Sequence, residues 1–302
     1  MAGQAADAPA NPFAGLYEFI KGHLVVVNNL IAFSCFAVGA LDFMAPKLWL
    51  LPRIVYSCTA MLAAAMLAAA GWRGTNEQGG ALHDPCCGSG TIPIEAALIA
   101  CDAAPGLQRR FAFEHQLPFA TPAMKATWGE MAQAARARIH PPAVPIYASD
   151  VAFRMVDFAR RNAERAGVAQ YIQFNGGDAL ERPAPQLPEG MPGSIVMNPP
   201  YGERIEVRGK AAMTRDAGGS EERDAGDDFF PRLAAHWKRQ YTGNPAGWTA
   251  WMLSPDMKLP GRMRLKESRR VPMWNGPIEC RLFRFDLVKG SARKPAEGDA
   301  PA

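Results

Sequence analysis

The sequence has few features of a metal-binding, fibrous, repetitive or secreted protein. Its 302 residues include 6 cysteines, none in a C-x-x-C pair, and 5 histidines at no zinc-ligand spacing, so no metal site is expected. The 28 glycines and 26 prolines follow no fixed period, which excludes collagen and simple repeats. No Lys/Arg-led secretory leader opens the chain, and most cysteines lie in apolar surroundings. The sequence therefore predicts a cytoplasmic protein with reduced thiols.

The composition is that of a globular protein, and the charge is uneven. Hydrophobic residues make up 48% and charged residues 21%, and the length suits one large α/β domain with appendages. The formal net charge of +4 says little about partners. Between residues 258 and 294, however, there are 11 Lys/Arg against 3 acidic residues. This excess is compatible with a polyanionic partner, and a solvated surface explains it equally well.

Two uncharged stretches near the N-terminus are long enough to be considered as membrane-spanning helices. They cover residues 24–41 and 54–72. Asn28 and Asn29 interrupt the first stretch, and the second is mostly alanine and runs almost directly into a predicted core strand. A membrane hairpin is therefore disfavoured, and the second stretch is expected to be a buried helix beside that strand. The nature of the first stretch is left open.

Downstream of residue 73, predicted strands alternate with predicted helices. This alternation predicts an α/β fold with a doubly wound, mostly parallel sheet. Asn275-Gly276 is a strong turn dipeptide and predicts an antiparallel hairpin at the far edge of the sheet. The expected strands cover residues 81–84, 145–149, 171–174, 194–197, 248–253, 271–273 and 278–287, and the expected helices 93–102, 125–139, 151–166 and 229–241. The predicted domains are a disordered tail (1–20), an apolar helical segment (21–72), the α/β domain (73–290, with a flexible loop at 206–228) and a second tail (291–302).

A glycine-rich turn follows the first predicted strand. It contains Gly88 and Gly90, but Pro93 stands where a dinucleotide-binding fingerprint has its third glycine, and there is no Lys-[Ser/Thr] ending typical of nucleoside triphosphate sites. A Gly-x-Gly turn at the carboxyl end of a strand lets a ligand approach the backbone closely and offers N–H donors. Alone, this turn is explained equally well as a structural tight turn.

Two acidic residues at the ends of the next strands favour a ligand-binding role for the glycine turn. Asp150 ends the second strand, where a carboxylate can accept both hydroxyl hydrogens of a ribose. Asp178 follows the third strand, where it could accept a hydrogen bond from an adenine amino group. Each one alone is more often a turn or cap residue. Together with the glycine turn, and in this order, they predict a nucleoside-bearing cofactor at the carboxyl edge of the sheet.

The fourth predicted strand ends in Asn198-Pro199-Pro200-Tyr201. Two prolines fix φ and remove two N–H donors, which leaves a rigid edge rich in acceptors. The Asn198 side-chain oxygen and the Pro199 carbonyl could each accept one hydrogen from a planar exocyclic amine, and the Tyr201 ring could stack on its base. This motif, after the glycine turn and two spaced acids, predicts methylation of an exocyclic amine.

These motifs resemble a known family. The resemblance covers roughly residues 61–288 and is strengthened by accessory stretches at residues 105–119, 159–167 and 275–282. The sequence is similar to the bacterial class I, S-adenosylmethionine-dependent guanine-N2 methyltransferases of large-subunit (23S) ribosomal RNA. The motifs that carry the similarity are Asp84-Pro85-x-Cys87-Gly88-Ser89-Gly90-Thr91, Ile94-Glu95-Ala96-Ala97 and Asn198-Pro199-Pro200-Tyr201-Gly202-Glu203-Arg204.

The resemblance implies a seven-stranded Rossmann-like methyltransferase fold, with S-adenosylmethionine as the cofactor and 23S ribosomal RNA as the partner. It implies that the glycine turn holds the methionine part of the cofactor, that Asp84 borders the donor's amino group or orders water near it, and that Asn198 to Tyr201 bind the target amine. Base access in folded RNA requires an unpaired or flipped nucleotide. The implied cofactor-binding residues are Asp84, Pro85, Cys87, Gly88, Ser89, Gly90, Thr91, Asp150 and Asp178, and the implied catalytic residues are Asn198, Pro199, Pro200 and Tyr201.

Other functions stay open at this point. Family members normally carry an RNA-capturing (THUMP) domain ahead of the catalytic one, and nothing in residues 1–60 resembles it. The same Asn-Pro-Pro-Tyr chemistry also serves adenine-N6 methylation of DNA or RNA and, third in order, a protein glutamine amide. From a different class, the chain could be a non-catalytic RNA-binding or membrane-tethered relative that retains the fold. The target nucleotide and the oligomeric state are not predicted.

Overall fold

The computed structural model describes residues 51–105, 107, 112–115, 120–200 and 224–289. The predicted tails, the apolar stretch at residues 24–41 and Tyr201 lie outside these residues. Within the described part of the chain, no helix has both the length and the hydrophobicity needed to cross a membrane. The domain bounds given above stay a prediction.

Seven strands form a single sheet. They are β1 (Ala81–Asp84), β2 (Ile146–Asp150), β3 (Ile172–Gly176), β4 (Gly193–Met197), β5 (Trp248–Ser254), β6 (Glu267–Asn275) and β7 (Ile278–Leu287). Their order across the sheet is β3-β2-β1-β4-β5-β7-β6. The pairs among β1 to β5 are parallel, and β7 runs antiparallel to both β5 and β6. The predicted doubly wound sheet with a C-terminal antiparallel hairpin is therefore confirmed.

Helices cover both faces of this sheet. The described helices are α1 (Leu51–Ala70), α2 (Thr91–Ala100), α3 (Pro122–Ala137), α4 (Phe153–Ala166), α5 (Asp224–Gln240) and α6 (Leu259–Met263). On one face, buried residues of α1, α2 and α4 pack with the sheet into one hydrophobic cluster. On the other face, α5 and α6 pack with β4, β5 and β7 into a second cluster. Helix α3 buries none of its residues.

The apolar stretch before β1 forms part of the first core. In α1, Leu62, Met66 and Leu67 are almost fully buried, and Trp72 just after the helix is 1% exposed. The Trp72 indole N–H donates to the Gly80 carbonyl at 3.0 Å, which ties the end of this segment to the start of β1. Residues this well buried contribute roughly 1.5–3 kcal/mol per side chain. The expected buried helix beside the first strand is therefore found.

The structure corrects some element boundaries. Helix α5 begins at Asp224, so residues 224–228, predicted as the end of a flexible loop, have a helical backbone. Helix α6 was not predicted, since five residues with Pro260 in the first turn are too few to show a period. Strand β6 is longer than predicted because its exposed, arginine-rich first half lacks apolar alternation.

Candidate active site

The parallel strand pairing brings the predicted site residues to one edge of the sheet. In the register, Asp84 of β1 lies opposite Ala148 of β2, and Asp150 at the end of β2 lies opposite Gly176 at the end of β3. His83 lies opposite Ile195, so residues after Met197 emerge beside the turn that follows β1. The glycine turn, both later acids and the Asn-Pro-Pro segment therefore leave the sheet on the same side. Ligands of open α/β sheets bind at this edge.

The glycine turn is built from two left-handed residues with different surroundings. Gly88 has φ +52° and Gly90 has φ +86°, a backbone conformation that side chains disfavour. A Cβ on Gly88 would meet nothing within 4 Å, whereas a Cβ on Gly90 would lie 2.9 Å from the Ala159 Cβ of α4. Gly90 is therefore required for packing, and Gly88 leaves open space where a ligand can approach the backbone.

Asp150 is joined directly to the glycine turn. Its Oδ2 accepts a hydrogen bond from the Gly88 backbone N–H at 3.0 Å, and its Oδ1 accepts one from Ala152 at 2.9 Å. Each carboxylate oxygen can accept more than one hydrogen bond, so both can also accept from a ligand hydroxyl. The residues expected to hold the methionine part and the ribose of a cofactor are therefore neighbours.

Asn162 of helix α4, which was not among the predicted site residues, stabilises the glycine turn. The Asn162 side-chain N–H donates to the Ser89 carbonyl at 2.8 Å, and its Oδ1 accepts from Arg165. The Ser89 hydroxyl lies 3.4 Å from the Thr91 hydroxyl. Asn162 stood within one accessory stretch of the resemblance, which was the only signal for it. This contact orients the carbonyl side of the turn and keeps the turn in place.

Cys86, which the sequence did not single out, lies in the turn directly after β1. The pKa of its thiol is raised well above the usual value, mainly by burial and further by the charges of Asp84, Asp150 and Asp178. Asp84 and Asp150 end β1 and β2, and Asp178 follows β3, so all three acids lie at the same edge of the sheet. Acidic side chains at this edge favour a cationic ligand, since opposite charges nearby stabilise the charged forms of both partners.

Asp84 lies at the buried end of β1 and is 1% exposed. Its Oδ1 accepts a hydrogen bond from the Cys86 N–H at 3.1 Å. Burial raises the pKa of Asp84, the hydrogen bond from the Cys86 N–H opposes this increase, and the nearby Asp150 charge adds to it, so that the pKa is about 8. At neutral pH this carboxyl is therefore mostly protonated in the absence of a ligand. A cation placed beside it would reverse that preference.

Asp178 is held in a local turn after β3. Its Oδ1 accepts from the Leu180 N–H at 2.9 Å, and its carbonyl accepts from Glu181 and Arg182. Arg182 in turn donates from Nη1 to the Gly176 carbonyl at 3.0 Å. One role of Asp178 is therefore to stabilise this turn. Its second carboxylate oxygen makes no described hydrogen bond to the protein.

Asn198 carries the most informative polar atom of the site. Its Oδ1 is buried, and among the described residues it has no hydrogen-bond partner. Pro199 is buried and Pro200 is exposed. A buried acceptor without a partner costs roughly 1–3 kcal/mol, so this oxygen calls for a donor that the described residues do not supply. Tyr201, the fourth predicted catalytic residue, lies outside the described residues.

A buried polar network that includes His83 of β1 holds this strand in place next to the site. His83 Nδ1 lies 2.9 Å from the Tyr241 hydroxyl, and His83 Nε2 lies 3.3 Å from the Ser149 hydroxyl. Burial lowers the pKa of His83 to about 3, so the ring is neutral. The Ser149 carbonyl also accepts from Cys87 at 2.9 Å, which links the network to the glycine turn. In the part of the chain that the structure describes, no cluster of His, Cys, Asp and Glu could hold a metal ion.

Comparisons with known proteins agree with this geometry. Residues 57–284 match a family model described as "RMKL-like, methyltransferase domain". The ribosomal RNA large subunit methyltransferase K/L of Shewanella baltica is 37% identical over 238 residues, or 77% of this chain. Two solved structures are similar: a possible methylase from Clostridium difficile 630 (29% identity, TM-score 0.59, 78% of this chain and 54% of that one), and a predicted N6-adenine-specific DNA methylase from Listeria monocytogenes (26%, 0.56, 75% and 50%).

The match covers most of this chain and a small part of its relatives. The chain spans about 29% of the length of the Shewanella relatives. Members of the matched family take the methyl group from S-adenosylmethionine, which confirms the cofactor expected from the resemblance. A family model that covers residues 57–284 includes the glycine turn, both later acids and the Asn-Pro-Pro segment. The chain therefore belongs to the RMKL-like methyltransferase domain family.

Proposed function

We propose that this protein transfers the methyl group of S-adenosylmethionine to the exocyclic N2 amine of a guanine in 23S ribosomal RNA. The observation that carries the proposal is the buried Asn198 Oδ1, which has no hydrogen-bond partner among the described residues. This atom follows β4, beside the turn after β1, where a planar amine could supply the missing hydrogen. The relatives named as ribosomal RNA methyltransferases support RNA as the substrate class.

The residues at this edge fit the cofactor. Gly88 offers open space and a left-handed backbone, and Asp150 lies within hydrogen-bond distance of its N–H. Asp150 and Asp178 lie at the same sheet edge as Asp84, whose carboxyl ionises when a cation is placed beside it, so this edge suits a ligand with ammonium and sulfonium charges. We assign the methionine part to the glycine turn, the ribose to Asp150 and the adenine to the β3 side.

The bound cofactor supplies an electrophilic methyl group on a sulfonium. The protein's part is to hold and orient the amine. Asn198 Oδ1 and the Pro199 carbonyl accept one hydrogen each, which favours a pyramidal nitrogen with its lone pair directed at the methyl carbon. The same two oxygens would stabilise the positive charge that develops on the nitrogen when it takes the methyl group. The nitrogen then loses one proton to water, and no strong base is needed before attack.

The basic segment supplies further support for an RNA substrate. Within residues 258–289, Glu267, Glu279 and Asp286 each pair with an arginine at 2.6–2.9 Å. Other cations of the segment are exposed and have no ion pair among the described residues; they are Lys258, Arg264, Lys266, Arg269 and Lys289. Exposed cations without acidic partners suit phosphate contacts, which predicts RNA affinity that falls steeply with salt. RNA binding that does not depend on salt would contradict a role for these cations in phosphate contacts.

The proposal is tested with labelled S-adenosylmethionine, undermodified ribosomal RNA and digestion of the product to nucleosides. We expect label in N2-methylguanosine with the wild-type protein and a rate of labelling about 100- to 1000-fold lower with Asn198→Ala. Label on adenine would instead support adenine-N6 methylation, the second candidate, which the named Listeria methylase favours. Binding of S-adenosylhomocysteine without any label in RNA would contradict the substrate assignment while leaving the cofactor site intact.

A further inference from the structure

The β6–β7 hairpin extends beyond the carboxyl edge of the sheet. Strand β5, its neighbour in the sheet, ends at Ser254, which pairs with Arg281 of β7. Three further residue pairs of the hairpin lie past this point, and they are Met273 with Cys280, Trp274 with Glu279, and Asn275 with Ile278. A strand rises roughly 3.3 Å per residue, so the end of the hairpin projects about 10 Å past the end of β5.

The register places this projecting end beside the candidate amine site. Met197, the last residue of β4, pairs with Met252 of β5. Pro199 follows two residues later and is therefore at about the level of Ser254, the end of β5. Only β5 separates β4 from β7, which amounts to about 10 Å at the usual strand spacing. The hairpin thus forms a wall next to the Asn-Pro-Pro segment, within reach of the nucleotide that neighbours a bound guanine.

The two faces of this hairpin have different surroundings. Residues paired across strands share a face, and so do residues two apart on one strand. On one face, Met273 and Cys280 are buried in the core cluster that includes α1. On the other face, Phe283 is buried in the cluster that includes α5 and α6, whereas Trp274 is only partly buried and Glu279 is exposed. One face therefore anchors the hairpin, and the other presents Trp274 and Glu279 to solvent.

The projecting end is stabilised by its turn and by an ion pair. Gly276 adopts φ +60° in the turn, and Pro277 fixes its own φ. The Arg281 guanidinium donates from Nη2 to Glu279 Oε1 at 2.7 Å and from Nη1 to the Cys280 carbonyl at 2.9 Å. Glu279 keeps capacity for a further hydrogen bond, because each carboxylate oxygen can accept more than one. The hairpin therefore offers an indole ring beside an oriented acceptor.

These two groups suit a base better than a phosphate. An indole stacks on any base, whereas a carboxylate repels phosphate and accepts hydrogen bonds from the exocyclic amine of a base. The cations suited to phosphate contacts lie elsewhere, since Arg269 is near the other end of β6 and Lys258 precedes α6. Phosphate contacts position a nucleic acid, and base contacts specify its sequence. The projecting end therefore has the chemistry of a base-specific contact.

We propose that the projecting end of the β6–β7 hairpin binds the nucleotide next to the target guanine, with Trp274 stacked on its base and Glu279 accepting a hydrogen bond from its exocyclic amine. The inference rests on the function proposed above and adds to it a residue pair that selects the sequence around the target. Adenine, guanine and cytosine carry such an amine and uracil does not. The pair therefore selects against uridine at one position that flanks the guanine.

The first experiment measures the affinity of the full chain for undermodified 23S ribosomal RNA in the presence of S-adenosylhomocysteine. Trp274→Ala should weaken RNA binding about 5- to 150-fold, the loss expected for one base–aromatic stack, and Trp274→Phe should restore most of it. The affinity for S-adenosylhomocysteine should match wild type in both variants. The matched control is Phe158→Ala, an exposed aromatic residue of α4, which packs against β2 and β3 at the other edge of the sheet; its RNA affinity should not change.

Glu279 provides a test whose sign separates a base from a phosphate. Glu279→Gln should weaken RNA binding about 5- to 10-fold, since a hydrogen bond to a charged acceptor is replaced by one to a neutral amide. Tighter binding would instead place a phosphate beside this residue and overturn the base contact. Short RNAs with a central guanine and each of the four bases at the flanking positions extend the test. Wild type should methylate those with uridine at one of these positions most slowly, and Glu279→Gln should reduce the difference.

The outcomes separate this inference from the proposed function. Circular dichroism and thermal melting check that each variant folds. If wild type binds RNA and methylates no guanine, the proposed function fails, and if it binds no RNA, both fail. If wild type binds and methylates RNA and Trp274→Ala binds it equally well, the hairpin inference alone is overturned. It is overturned too if Trp274→Ala loses affinity for S-adenosylhomocysteine, because the ring would then act on the cofactor site.

Discussion

Cofactor binding should release a proton from Asp84. The side chain is 1% exposed, and burial raises its pKa to about 8. At pH 7 about 90% of the free protein then carries this proton. An ammonium group placed beside the carboxyl favours the charged form, and a bound-state pKa of about 6 or lower leaves ~10% protonated. Binding at pH 7 should therefore release about 0.8 proton, and affinity should rise roughly 25-fold between pH 6 and pH 8.

The assay is calorimetric titration of S-adenosylhomocysteine in buffers of different ionisation enthalpy. The slope of observed binding enthalpy against buffer enthalpy gives the number of protons released. Asp84→Asn should reduce this slope to near zero. Glu95→Gln is the matched control, because burial also raises the pKa of Glu95, which lies in the helix after the glycine turn, to about 7. The slope for this variant should match the slope for wild type. A zero slope in wild type, or an unchanged slope in Asp84→Asn, would refute the reasoning.

The protein without ligand should show the opposite pH trend in stability. A carboxyl whose pKa is raised on folding stabilises the native state below its unfolded pKa, and this stability is lost as pH rises toward the folded pKa. The contribution of Asp84 to the free energy of unfolding should therefore fall between about pH 4 and pH 8. Chemical unfolding of wild type and Asp84→Asn across this range isolates the contribution, and a difference independent of pH would contradict it.

Three further substitutions have defined outcomes. Asn198→Ala should lower the rate of methyl transfer about 100- to 1000-fold and leave S-adenosylhomocysteine affinity unchanged, because the lost oxygen faces the amine; equal loss of affinity would contradict this. Asp150→Ala should weaken cofactor binding about 10- to 100-fold in calorimetry, since its two oxygens hold Gly88 and the ribose. Gly90→Ala should lower the free energy of unfolding by about 1–3 kcal/mol more than Gly88→Ala, because only its Cβ meets Ala159; equal losses would disprove that packing role.

Much of the fold could be predicted because local signals agreed with tertiary structure. Strand β1 is fully buried and bounded by a glycine turn, and Gly167 ends α4 with φ +76° as expected of a left-handed cap. Asn275-Gly276 joins β6 and β7 as predicted. The element boundaries that were predicted wrongly lie where the hydrophobic periodicity of the sequence is weak. Helix α6 has only five residues, and the start of β6 is polar because it lies at the edge of the sheet.

The site was predicted at the level of motifs, and its electrostatics could not be. Sequence order placed Gly88, Asp150 and Asn198 at strand ends, and the parallel register brings those ends together. The protonation of Asp84 could not be predicted, because it depends on how deeply strands far apart in sequence bury this carboxyl. The exposure of Phe153 could not be predicted either, since an apolar residue in a helix predicts burial.

The central claim is that the cofactor lies along the carboxyl edge from the glycine turn past Asp150, facing the Asn-Pro-Pro segment. A crystal structure of the protein with S-adenosylhomocysteine tests it most directly. The account predicts the homocysteine part on Gly88, the ribose hydroxyls within hydrogen-bond distance of Asp150, the adenine on the β3 side and the sulfur directed toward Asn198. A ligand bound away from this edge, or one whose sulfur points away from Asn198, would contradict the account.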